Sequence, residues 1–153
     1  FEITSAVEFP ITDNLSVNGS LSYTYTNATF KTTFLSNFSQ WGIVQAGDKL
    51  PYLPEHLGRG QIELTAKNWD VNASLNFQEQ MREIPGSGPV DQQLHADGYF
   101  TFDLSGTWRA TEDLRIQLTL QNVTNEAAIV SHRPFGARPN MPRSLIMRLR
   151  YSL

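Results

Sequence analysis

The residues best equipped for chemistry lie in "SHRPFGARPN", residues 131–140. There Arg133 and Arg138 are pinned among prolines, close to His132. A guanidinium fork matches a carboxylate bidentately, so this stretch is predicted to help hold an anionic ligand. The bland alternative is that both arginines bond loop carbonyls or stay solvated. Arg82, in "MREIPG", is a second candidate of the same kind. Nothing else is arranged for catalysis. Asp103 and Glu112 are separated along the chain and do not form a carboxylate pair for acid–base work. His56, His95 and His132 fall in or beside different long connections, without metal-ligand spacing. There is no cysteine, hence no thiolate chemistry, and no phosphate loop or nucleophile elbow appears. No catalytic residue, protein-built metal site or enzyme activity is expected.

The elements that must position these residues are strands. Helical periodicity is nearly absent, whereas period-two alternation recurs along the chain. "FEITSAVEF" sets Phe1, Ile3, Val7 and Phe9 against Glu2, Thr4 and Glu8. After the connection "PITDN", "LSVNGSLSYTYT" sets Leu15, Val17, Leu21, Tyr23 and Tyr25 against a row of Ser, Asn and Thr. "LGRGQIELTAK" follows a long stretch over about 27–55, and Asn68-Trp69 is expected to turn the chain into "DVNASLNFQEQ". A second long stretch, about 82–98, leads to "YFTFDLSGTWRA"; then come a "TED" turn and "LRIQLTLQ". After a third long stretch, about 131–142, "SLIMRLRYSL" puts Leu145, Met147, Leu149, Tyr151 and Leu153 on one face and Ile146, Arg148, Arg150 and Ser152 on the other.

Short and long connections alternate, so an antiparallel meander has its tight turns at one end and its long loops at the other. Outer-membrane barrels show that asymmetry. The alternating runs reach roughly 9–11 residues, the length that crosses a bilayer at a tilt. The predicted fold is all-β: an antiparallel up-and-down transmembrane β-barrel segment of about seven strands. Arginine on a lipid face near the midplane costs about 2–4 kcal/mol, so Arg148 and Arg150 face the lumen and the oily row faces lipid. The aromatics Tyr23, Tyr25, Phe100, Trp108 and Tyr151 suit the interfacial girdles. A net charge of −3 without a basic run gives no reason to expect nucleic acid. The rival architecture is a soluble extracellular β-sandwich or lectin-like binding module.

The C-terminal strand, with Tyr151 third from the end and apolar Leu153 last, resembles the assembly signal of bacterial outer-membrane barrels. That family usually ends in Phe, and Leu153 departs from it. The run 111–153, with Gln121-Asn122-Val123-Thr124-Asn125 and Arg138-Pro139, resembles the last strands of TonB-dependent outer-membrane receptors. "GDKLPYLPEHLGRG" resembles the return from an external loop into a strand in that family. "MREIPG" and "SHRPFGARPNMPRS" resemble its ferric-dicitrate branch.

The resemblance implies that residues 1–153 are the C-terminal portion of a plugged barrel of about 22 strands in the bacterial cell outer membrane. It further implies a missing N-terminal plug and remaining strands, TonB acting through the plug, and lipid and lipopolysaccharide outside. The ligand would be a ferric siderophore, possibly dicitrate-like, with iron present only as the chelate and no cofactor. Arg133, Arg138, His132 and Arg82 would contact it. Arg59, Glu63, Lys67, Asp103, Arg109, Arg115, Arg148 and Arg150 would be lumen charges facing the plug.

Overall fold

The computed structural model describes residues 1–133 and 136–152. Pro134, Phe135 and Leu153, the expected last lipid-facing residue, lie outside the described residues. The elements in chain order are β1 (Glu2–Thr12), β2 (Leu15–Tyr25), β3 (Phe34–Leu35), β4 (Ile43–Val44), β5 (His56–Ala66), β6 (Trp69–Gln78) and β7 (Met81–Arg82). Then come β8 (His95–Ala96), β9 (Tyr99–Arg109), β10 (Leu114–Gln121), β11 (Ile129–Ser131), β12 (Arg138–Pro139) and β13 (Ser144–Tyr151). Seven long strands form one antiparallel sheet in the order β1-β2-β5-β6-β9-β10-β13, a simple meander. The other six are two-stranded hairpins inside the three long connections: β3–β4, β7–β8 and β11–β12. Strands this short carry no readable alternation, so they are not legible in the sequence.

Two boundaries differ from expectation. The strand starting at Glu2 continues through "PIT" to Thr12, and the turn shrinks to Asp13-Asn14. Pro10 lacks an N–H, but the pairing shifts between Pro10 and Thr12, and such an irregularity tolerates proline. The turn expected at Asn68-Trp69 lies at Lys67-Asn68, because Trp69 already pairs with Trp108 in the ladder.

Register carries the sidedness across the whole sheet. One continuous rung runs Phe9–Val17–Leu64–Val71–Gly106–Leu118–Met147. Two residues along, another runs Val7–Gly19–Ile62–Ala73–Leu104–Leu120–Leu145. The interleaved rung Glu8–Asn18–Glu63–Asn72–Ser105–Thr119–Ile146 is polar until its last member. Because side chains alternate strictly, a slip of one residue in any strand would break both rows at once.

Among the described residues the sheet has no second layer over its apolar face, and a β-sandwich requires one. Leu149 is 62% exposed, Leu118 48% and Ile62 59%. Among the described residues the buried apolar side chains, Val44, Ala96 and Ala128, all lie in the long connections. A greasy, uncovered face on strands of eight to eleven residues, with each internal strand paired on both sides, suits hydrocarbon rather than water. Aromatics mark both ends of this face. Trp69 and Trp108 pair at the tight-turn end. At the loop end, Tyr23 and Tyr25 pack on His56, with the Tyr23 hydroxyl 2.6 Å from Nδ1.

Candidate functional site

The three long connections are fastened to one another at the same end of the sheet. Lys49 N–H donates to the Gly86 carbonyl, and Tyr52 N–H to the Arg82 carbonyl, each at 2.9 Å, joining the first connection to the second. Asp97 N–H donates to the Ile129 carbonyl at 2.8 Å, and Ile129 N–H returns to the Asp97 carboxylate at 2.6 Å, joining the second to the third. Phe30, Phe34, Phe38 and Trp41 pack edge-to-face within the first.

At the centre of this layer is Glu83, fully buried. Its Oε1 accepts the His132 backbone N–H at 2.7 Å, and the His132 Nδ1 stands 3.4 Å away. Its Oε2 is 3.9 Å from Arg133 Nε. The Arg133 guanidinium lies over the Phe38 ring, 5.6 Å from its centroid, so the cluster spans all three connections. Tyr52 completes it. Burial raises the Tyr52 hydroxyl above its ordinary pKa, and the Glu83 charge raises it further, while Arg133 and the Ser131 hydroxyl act the other way. A carboxylate with no access to water needs such donors to remain charged.

Of the residues expected to meet a ligand, Arg133 and His132 are therefore brought together, but around an internal carboxylate. Arg82 is also buried; its Nη2 donates to the Gly88 carbonyl at 2.9 Å. Arg138 differs. It sits across the β11–β12 hairpin from Ser131, exposed to solvent. Glu83 and Tyr52 carry the cluster and were not singled out in the sequence. Glu83 adjoins Arg82 in "MREIPG", but no spacing links it to a histidine 49 residues away. Between the first two connections lies a cavity of about 330 Å³, lined by Lys49, Glu55, Glu79, Met81, Arg82 and Gln92 among others. Lys49 is paired with Glu55 there.

The polar face of the sheet holds the expected lumen charges. Arg109 pairs with Asp70 and also donates to the Ala66 carbonyl at 3.3 Å. Asp103 uses both oxygens within the wall: Oδ1 accepts the Asn122 N–H at 2.7 Å, and Oδ2 accepts from Asn76 at 3.3 Å. Asn122 is buried with a φ of 48°, and its side chain bridges the Glu126 and Met141 carbonyls, each at 2.9 Å. The stretch 121–125 is thus a left-handed corner that Asp103 and Asn122 hold in place. Arg59, Glu63, Arg115, Arg148 and Arg150 share the polar face, Lys67 lies in the turn after β5, and among the described residues none of the six is in an ion pair. Also among the described residues, no three His, Cys, Asp or Glu side chains converge into a cation site.

The comparisons agree with this architecture. The family described as TonB dependent receptor-like, beta-barrel matches residues 1–123. No curated protein matches the chain. Among solved structures, the siderophore receptor PiuA from Acinetobacter baumannii superposes with a TM-score of 0.59 at 15% identity, over 98% of this chain and 22% of that one. The copper transporter OprC gives 0.63 at 14%, over 98% and 23%. The ferric enterobactin receptor PfeA from Pseudomonas aeruginosa gives 0.61 at 14%, over 98% and 22%. At such identities the likeness is one of fold, and this chain spans less than a quarter of those proteins. The apolar and polar rows, the meander and the loop-bearing end are those of a barrel wall in the bacterial outer membrane, and the chain belongs to the TonB dependent receptor-like β-barrel family.

Proposed function

We propose that the chain is the C-terminal barrel portion of a TonB-dependent receptor that takes up a ferric siderophore, with the rest of the barrel and a plug supplied by the remaining length of the receptor. The observation that carries this reading is the joining of all three long connections into one layer at a single end of the sheet. Such a layer suits the recognition of a bulky ligand arriving from outside. The siderophore supplies every bond to iron, and the protein supplies shape and countercharge.

Of the four residues expected to meet an anionic chelate, Arg138 is the one exposed to solvent, whereas Arg133, His132 and Arg82 act one step back by fixing the loops. A carboxylate-type chelate such as ferric dicitrate suits an exposed guanidinium fork. That finer reading rests on the resemblance of "MREIPG" and "SHRPFGARPNMPRS"; the ligand of PfeA is ferric enterobactin, and the cargo of OprC is copper. The test is uptake by cells whose only receptor is the full-length protein, offered ferric dicitrate, a ferric catecholate and ionic copper in turn. Receptor-dependent uptake of a ferric chelate, weakened by Arg138→Ala, is expected. Copper uptake alone overturns the siderophore reading.

A further inference from the structure

The cavity of about 330 Å³ between the first two connections is lined, among the described residues, by four charged side chains: Lys49, Glu55, Glu79 and Arg82. Lys49 and Glu55 satisfy each other. One cation and one anion, Arg82 and Glu79, are left over. Neither takes part in the cluster around Glu83, whose carboxylate is engaged by His132 and Arg133.

Arg82 is only 8% exposed. Its Nη2 donates to the Gly88 carbonyl at 2.9 Å, and among the described residues no carboxylate lies within the 4.0 Å of an ion pair. The loop after β7 wraps this guanidinium. A Cβ at Gly86 would fall 2.9 Å from Nη1, and Gly88, with a φ of 76°, turns its carbonyl onto Nη2. A buried cation held in place without a counter-ion is costly until an anion joins it. Glu79 is the opposite case. Its Oε2 has no hydrogen-bond partner among the described residues and faces the His56 Nε2 at 3.8 Å, beyond hydrogen-bond reach. Its backbone is fixed, because the Glu79 N–H donates to the His56 carbonyl at 3.0 Å.

The two leftover charges select the occupant. A simple anion would satisfy Arg82 but be repelled by Glu79, and a simple cation would do the reverse. A neutral sugar would leave both charges unpaired. A molecule bearing both a carboxylate and an ammonium group meets each charge with charge-assisted hydrogen bonds. The volume lies at the small end of the roughly 300–1,000 Å³ of small-molecule sites, and Leu50 and Leu53 supply an apolar wall for a side chain.

We infer that this cavity is a binding site for a small zwitterion of the α-amino-acid class, with its carboxylate on the Arg82 guanidinium and its ammonium on the Glu79 carboxylate. This ligand is not the ferric chelate. It lies in the crevice between the first and second connections, whereas Arg138 is exposed on the third. By bridging Arg82 and Glu79 it adds to the bonds that already fasten those two connections together.

The test is calorimetric titration of the full-length receptor in detergent with glycine, L-alanine, L-leucine and L-glutamine. At least one is expected to bind. The analogue of that amino acid lacking the ammonium group, and the amine lacking the carboxylate, should each bind about 10- to 150-fold more weakly, the factor that one hydrogen bond to a charged group implies. These analogues probe both charges in the unaltered receptor, so the folding of a variant does not enter. Glu79→Gln, at a partly exposed position, should weaken the amino acid by the same factor while leaving the deamino analogue no weaker than before. Arg138→Ala should leave amino-acid binding unchanged. No binding of any of the four up to about 10 mM overturns the inference. So does an analogue that binds as tightly as its amino acid, an unchanged affinity in Glu79→Gln, or a loss in Arg138→Ala. Uptake of the ferric chelate plays no part in these outcomes, so the transport reading and this one fail separately.

Discussion

Replacing Glu83 by alanine removes a fully buried carboxylate that helps hold the second and third connections together. In the native arrangement its Oε1 accepts the His132 N–H at 2.7 Å, and its charge faces Arg133 at 3.9 Å. A hydrogen bond to a charged acceptor contributes about 1.5–3 kcal/mol, and the long ion pair adds to the lower end of that range. The loss falls on local opening of the loops, not on the sheet, since the strands are held by their own ladders. Hydrogen exchange of the full-length receptor in lipid measures this directly. Peptides covering 130–133 should exchange about 10- to 150-fold faster in Glu83→Ala, the factor that 1.5–3 kcal/mol implies. Peptides from β9 and β10 should be unchanged. Glu83→Gln keeps an oxygen for the His132 N–H and should fall between the two. Unaltered exchange at 130–133 in Glu83→Ala, or an equal acceleration in β9 and β10, would refute the reasoning.

Two further outcomes follow from the same geometry. A side chain at Gly98 would place its Cβ 2.8 Å from the Gln80 nitrogen and 3.2 Å from the Gln78 carbonyl, both backbone atoms. Gly98→Ala should therefore part β6 from β9 at the loop end and lower the yield of heat-modifiable folded receptor, while Gly88→Ala, with open space around it but a φ of 76°, should cost only local strain. Tyr52 binds its proton more tightly in the folded loops than in the unfolded chain, so its share of stability is complete below about pH 10 and lost as pH rises through the raised value. Tyr52→Phe should flatten the alkaline limb of the loop exchange rate, and an unchanged limb would show that Tyr52 does not titrate with the loops.

The sheet was legible because the bilayer imposes a rule on every second residue. From Leu15 to Tyr25, and from Leu145 to Tyr151, a charge on the oily face would have been costly, and none falls there. Turn positions were less legible where a residue disfavoured in strands continues one, as Pro10 does at an irregularity in the pairing. The site was legible only in part. Arg133 and His132 stood out for their chemistry, but their partner Glu83 is distant in the sequence and looks like any loop acid. Asp103 read as a lumen charge because it alternates with Phe102 and Leu104; that its oxygens fasten the Asn122 corner depends on a turn geometry no spacing encodes.

The claim on which all of this depends is that the Leu118 row meets hydrocarbon and the Thr119 row does not. This segment has no native cysteine. Spin labels introduced singly as Leu118→Cys, Thr119→Cys, Met147→Cys and Arg148→Cys into the full-length receptor in lipid bilayers report which face each position sees. Labels at 118 and 147 should relax with membrane-dissolved oxygen and ignore an aqueous nickel chelate, while those at 119 and 148 should be shielded from lipid. Labels at 118 and 147 that respond to the aqueous chelate, with 119 facing the membrane, would contradict the account.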